Sequence, residues 1–286
     1  MNDFDEKRTY VSREEVEGRI ALDDSPTTVC VTNHIIEIVT CEKHQGKTCS
    51  IRRLDKRYYV NLRTGEIKEF RKVEDGDKSV NMNPKFTALR QLINKNFHGL
   101  FSEIHLILTY DKEMKEREKA SVDFKAFWKR VRRFYSGLDY IVIYEPTEKG
   151  VWHIHVLVKD SENRNLFIPK KHLKELWGHG FIYVLRISDN DNIGAYFVAL
   201  FSKDRETKSK KTNRLQYYKK GYRLFSKSKG IKSPIYLKMP YSEAMKLVKG
   251  LEPCFEEQYG IYDKDTNEEI NVIYRKEYNK RRQKNE

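Results

Sequence analysis

The residues His153-Ile154-His155 have the types and spacing for metal chemistry. They lie in the apolar run Trp152 to Val158 (WHIHVLV), which reads as a β-strand. Side chains at i and i+2 of a strand leave the same face, so both imidazoles point one way while Ile154 faces a core. Two neutral imidazoles at a spacing fixed by the backbone can hold a divalent ion. Eight residues before His153, Glu145 ends another apolar run, Tyr140 to Glu145 (YIVIYE). A hairpin turning through 146–151 sets its carboxylate beside the start of the next strand. The ion would then have two nitrogens and one oxygen, with positions open for water and a phosphate oxygen. Each residue also has a plainer reading, as surface histidines that happen to alternate and a glutamate that flanks the turn before Pro146.

Phosphodiester chemistry can use a nucleophile that forms a covalent intermediate and splits one hard step into two. Tyr196 lies in Asn192 to Leu200 (NIGAYFVAL), a predicted helix that could present its hydroxyl to the metal. The alternative is a core tyrosine, one of 18 in the chain. Lys203 lies two helical turns further on and could stabilise phosphate charge, or be an ordinary solvated lysine. The basic run 204–230 interleaves rings and cations: Tyr217, Tyr218, Lys219, Lys220, Tyr222, Arg223, Lys227 and Lys229. Such a run can grip a DNA backbone and stack bases, or be a charged solvated loop.

The elements that must position these residues read as follows. Phe86, Leu89, Leu92, Ile93 and Phe97 have helical spacing. His105 to Tyr110 (HLILTY) is a strand, and Ser121 can cap a helix carrying Phe124, Phe127, Trp128, Val131 and Phe134. After the two strands of the candidate site come a short helix, Lys170 to Trp177, stopped at Gly178, then a strand, Phe181 to Ile187, and the Tyr196 helix. This order predicts an α+β fold of the split-βαβ type, a central antiparallel sheet with helices on it. It also predicts three regions: a β-rich extension over 1–84, a core over 85–240, and an extension over 241–286 that holds a terminal hairpin around Asp263 to Asn267.

The chain carries 56 Lys+Arg against 42 Asp+Glu, a formal charge of +14 that fits a polyanionic partner. No run approaches the roughly 20 apolar residues that span a bilayer, and MNDFDEKRTY has no secretory apolar core. A cytoplasmic protein with no membrane partner is expected. Cys30, Cys41, Cys49 and Cys254 do not make a disulfide framework in a chain this long. Cys30, Cys41, His44 and Cys49 could form a small zinc site, although their spacing is irregular and reduced thiols are the simpler reading. His172 and His179 could each supply a fourth ligand to the candidate metal site, with a surface or turn role as the alternative.

Three motifs in order resemble the HUH endonucleases, specifically the rolling-circle replication initiators of bacterial plasmids and phages. They are Ile107-Leu108-Thr109-Tyr110, then Glu145 with His153-Ile154-His155, then Tyr196 with Lys203. The resemblance covers about residues 85–240. It implies an HUH/RRM-like nickase core with Mg²⁺ or Mn²⁺ on His153, His155 and Glu145. It also implies that Tyr196 attacks single-stranded or hairpin origin DNA, keeps a 5′-phosphotyrosine and frees a 3′-hydroxyl. Many relatives carry Lys three residues after the tyrosine and some a second tyrosine four residues on; here these are Ala199 and Leu200, so one tyrosine is expected to act. Gly46-Lys47-Thr48 lacks the first glycine of a phosphate-binding loop, so a separate host helicase is expected beside the polymerase. A mobilisation relaxase or transposase of the same chemistry, and a DNA-binding regulator without activity, are the alternatives.

Overall fold

The computed structural model describes residues 11–43, 51–55, 57–62, 64–69, 83–187, 191–201, 217–219, 222–263 and 267–283. The first strands are β1 (Val11–Glu15), β2 (Pro26–Val31), β3 (Ile35–Cys41), β4 (Ile51–Arg53), β5 (Tyr58–Asn61) and β6 (Ile67–Glu69). Then come α1 (Asn83–Asn96), β7 (Glu103–Leu108), α2 (Arg117–Phe134), β8 (Leu138–Pro146) and β9 (Trp152–Asp160). The chain continues through α3 (Lys170–Trp177), β10 (Ile182–Arg186), α4 (Ile193–Phe201) and β11 (Phe225–Lys227). It closes with β12 (Ile235–Pro240), α5 (Tyr241–Lys246), β13 (Phe255–Asp263) and β14 (Glu269–Asn279). The fold is mixed α+β with antiparallel sheets, as the sequence predicts.

Two compact units divide the chain, residues 1–81 with 234–286, and residues 82–233. The first unit holds a six-stranded sheet in the order β1-β13-β14-β3-β2-β12 and a three-stranded sheet β4-β5-β6. Val29, Ile36, Ile38 and Tyr278 form a core with Ala244 of α5 and Val248. The sequence predicts two separate extensions; the structure joins them, because β14 pairs with β3 and β12 with β2. Residues 235–240, assigned by sequence to the core, belong to this sheet. Pairing between strands far apart in the chain leaves no local pattern to read. The expected terminal hairpin is present as β13–β14.

The second unit is a five-stranded sheet in the order β10-β7-β9-β8-β11, antiparallel at every pairing. Strand β9 lies between β7 and β8, which therefore run parallel to each other. One face meets α2 and α3: Phe124 packs edge-on against Tyr140 and Tyr144, and Phe127 against Trp177. The Trp177 indole N–H donates to the Thr109 carbonyl, which fixes α3 to the end of β7. On the opposite face α4 lies over β7, and the apolar side of α1 (Phe86, Leu89, Leu92, Ile93) is buried.

Helix α2 starts at Arg117, one turn earlier than Ser121 predicts. Arg117 has a role the sequence did not suggest: its guanidinium is buried 3.4 Å over the Tyr144 ring. Ser121 sits inside the helix, where its hydroxyl accepts from Tyr144 Oη. Gly178 ends α3 in the left-handed region at φ 70°, as expected. Among the described residues, no helix is long and apolar enough to cross a membrane.

Candidate active site

The site is assembled by register. Glu145 pairs with His153 and Ile143 with His155 across β8–β9, and Ile107 pairs with His155 across β7–β9. Directly paired residues share a face, so Glu145, His153, His155, Ile107 and His105 all leave the face that α4 covers in part. Ile154 leaves the other face and is fully buried. The His155 Nε2 atom lies 2.7 Å from Glu145 Oε2, and its Nδ1 lies 3.1 Å from His105 Nε2. His155 is 7% exposed and His105 5%.

A carboxylate only accepts, so in the singly protonated tautomer that serves Glu145, His155 donates Nε2–H to it and its Nδ1 accepts Nε2–H from His105. Burial, and then the adjacent His155, pushes the His105 pKa down to about 3, which keeps that ring neutral. Sequence reasoning missed His105. Its ring stacks on His155 at 5.3 Å and meets the Phe197 ring edge-on at 4.7 Å. Phe197 neighbours Tyr196 on α4, and those two rings lie 5.5 Å apart. A line of ring contacts therefore runs from the histidine strand to the helix of the candidate nucleophile.

Tyr196 is 51% exposed rather than part of the core. The helix that carries it is well anchored. Asn192 caps it, with Oδ1 accepting the Ala195 N–H at 3.0 Å. Asn94 of α1 holds both ends of that turn: its amide donates to Asn192 Oδ1, and its Oδ1 accepts the Gly194 N–H. Gly194 is required by this approach, since a Cβ there would meet the Arg90 carbonyl and the Asn94 side chain.

The structure brings Glu145 and His155 into contact and sets His153 opposite Glu145 in the ladder. Among the described residues, no group of three or more His, Cys, Asp or Glu side chains is gathered so as to hold a metal ion. His172 instead pairs its Nδ1 with the Tyr135 hydroxyl at 2.8 Å. His179 lies 3.9 Å from Asp123, which also accepts from the Tyr110 hydroxyl. Neither of these two histidines joins the site. Lys203 and Lys220 lie outside the described residues, as do His44, Cys49 and the Gly46-Lys47-Thr48 run. Cys30 and Cys41 are buried and form no disulfide. Cys30 pairs with Glu37, so Cys41 stands four residues further along β3, about 13 Å away, too far for a shared zinc ion.

The described part of the basic segment, residues 217–219 and 222–230, packs on Trp152 and along β8. Tyr218 donates to the Tyr144 carbonyl and packs edge-on against Trp152, the residue before His153. Buried Arg117 donates to the Arg223 carbonyl, and Tyr222 packs on Trp152. Strand β11 then pairs with β8. Lys219, Arg223, Lys227 and Lys229 are exposed along this segment, and Tyr222 is half-buried. The Lys227 ammonium donates to the Ile231 carbonyl.

Residues 104–205 match the model of a protein family described as replication-associated protein ORF2. The matched segment contains β8, β9, α4 and all of β7 but Glu103, and so His105, Glu145, His153, His155 and Tyr196. It supports a replication initiator protein. No curated protein and no solved structure matches the chain.

Proposed function

We propose that the chain is an initiator that nicks single-stranded origin DNA with Tyr196 and so starts rolling-circle replication. One observation carries this reading. Inside the segment that matches a replication-associated family, a carboxylate and an imidazole stand 2.7 Å apart on the sheet face over which α4 presents an exposed phenol. The strand order, with β9 between parallel β7 and β8, supports the reading of a split-βαβ core of HUH type.

The carboxylate suits Mg²⁺ or Mn²⁺, while two imidazole nitrogens suit a softer ion, so of these two Mn²⁺ fits the mixed donor set better. Glu145, His153 and His155 would hold it. Bound there, the ion would polarise the scissile phosphate and neutralise developing charge. For its part, His155 must give up the Nε2 proton it shares with Glu145 before that nitrogen can ligate. Tyr196 Oη attacks phosphorus, the bond from phosphorus to the 3′ oxygen breaks, and the phenolic proton ends on that oxygen. One phosphoester replaces another, so the reverse reaction can rejoin strands. Lys203, Lys219, Lys220, Arg223, Lys227 and Lys229 would neutralise backbone phosphates, and the half-buried Tyr222 would offer a ring to a base. A separate host helicase and polymerase, in the cytoplasm, would act on the product.

The test is incubation of the protein with labelled single-stranded origin DNA and Mn²⁺, followed by mass spectrometry of the trapped adduct. A 5′-phosphotyrosine at Tyr196, lost in Tyr196→Phe, is the expected result. DNA binding with no adduct would overturn the nicking assignment and leave a regulator.

A further inference from the structure

Strand β10 is an edge of the five-stranded sheet. Tyr183 is 51% exposed there, Phe181 just before the strand is 55% exposed, and Leu185 follows with the same alternation. Residues two apart share a face, so these three make a short apolar stripe. Cations lie directly beside it. Lys174 Nζ is 5.0 Å from the Phe181 ring centroid and Lys170 Nζ is 5.5 Å from that of Tyr183. The two lysines are one turn apart on α3, so each serves one ring.

The register ties this stripe to the site. Tyr183 pairs with Ile107, and Ile107 pairs with His155. Tyr183 and His155 therefore stand in one row on one face, separated by two strand spacings or roughly 9.6 Å. Ile107 between them is only partly buried. Phe181 lies two residues back along β10, toward the end where Glu145 and His153 pair.

We propose that Phe181 and Tyr183, with Lys174 and Lys170, form a track that binds an unpaired DNA strand and leads it to the histidine face. Exposed rings give bases a stacking surface, and an ammonium beside each ring meets the adjoining phosphate. Spacing selects the single strand. Alternate side chains of a strand stand about 6.6 Å apart, whereas bases stacked in a duplex rise about 3.4 Å per step. Bases seated on successive rings cannot stay stacked on each other, and a duplex does not offer its base faces. The destination of the strand rests on the nicking reading; the binding itself does not.

The experiment uses the full chain with EDTA and a short fluorescein-labelled single strand, with a duplex as comparison. Phe181→Leu with Tyr183→Leu keeps the surface apolar but removes the rings, and is expected to weaken single-strand binding by roughly tenfold per ring. Phe181→Tyr with Tyr183→Phe is expected to retain it. Lys170→Ala with Lys174→Ala is expected to flatten the log-affinity against log-salt slope by about 1.4. Duplex binding should not respond to the leucine changes. Wild-type affinity in the leucine variant would overturn the track, as would equal losses for single strand and duplex. A changed oligomeric state without a changed affinity would also overturn it, because β10 would then be an edge for a second copy. The adduct assay separates the two readings. Ring-dependent binding without an adduct sinks the nicking reading alone; a normal adduct with indifferent rings sinks the track alone.

Discussion

His105 stays neutral at an acidity where an exposed histidine takes a proton, since its folded pKa is about 3 against an ordinary 6.5. The folded-state value is depressed, so the unfolded chain binds the extra proton below 6.5 and stability falls as pH falls from there toward 3. The slope from this ring alone is about 1.4 kcal/mol per pH unit. Urea unfolding at about pH 7.5 and about pH 5 should therefore show wild type losing about 2 kcal/mol more than His105→Asn. Equal losses would mean the ring is solvated. Tyr196→Phe is expected to change stability by less than about 0.5 kcal/mol, because the phenol is half exposed, while abolishing the adduct. Unfolding curves and gel analysis read the two effects separately. Glu145, His153 and His155 were legible in the sequence because strand periodicity and one hairpin fix their mutual placement. His105 was not: a single histidine at the start of an apolar strand shows nothing of the strand that will lie beside it.

Helix α4 was legible as a run of apolar residues, and its tyrosine as a candidate. Its placement was not, because that depends on contacts with α1, about 100 residues earlier in the chain. Asn192→Ala removes the cap and leaves the Asn94 amide without its partner there, at a cost of about 1–2 kcal/mol. Gly194→Ala forces a methyl against the Arg90 carbonyl, which is backbone and cannot swing aside. It should shift α4 and cost about 1–3 kcal/mol. If Tyr196 works from this helix, a shift near an ångström should slow adduct formation by roughly a hundredfold. Single-turnover assays with Gly194→Ala check this; an unchanged rate would place the chemistry elsewhere. Gly180 acts the same way at the other end of the sheet. With φ +155° and the Thr109 carbonyl 2.6 Å from where its Cβ would be, it lets the turn before β10 lie against β7.

The two units differ in how much of them a sequence can disclose. Unit 82–233 contains a local hairpin, β8–β9, and helices with their own periodicity, so these parts appear as local patterns although β10 and β11 pair with strands far earlier in the chain. The other unit is closed by strands from distant segments, and neither half has a complete pattern. Removing residues 241–286 takes away β13 and β14, the strands between β1 and β3. Circular dichroism and limited proteolysis should then show residues 11–43 unprotected, while residues 82–233 expressed alone should fold. Protection of 11–43 in the shortened chain would contradict the sheet order. The same interleaving orders events on the ribosome. Strands β2 and β3 are made early and must wait for residues 269–279 before β3 gains its partner β14. At 5–20 residues per second that delay is roughly 10–50 s, during which a hairpin with a bare edge is held beside a growing chain. Unit 82–233 is synthesised entirely within that interval, so it can be complete while its companion is still half built.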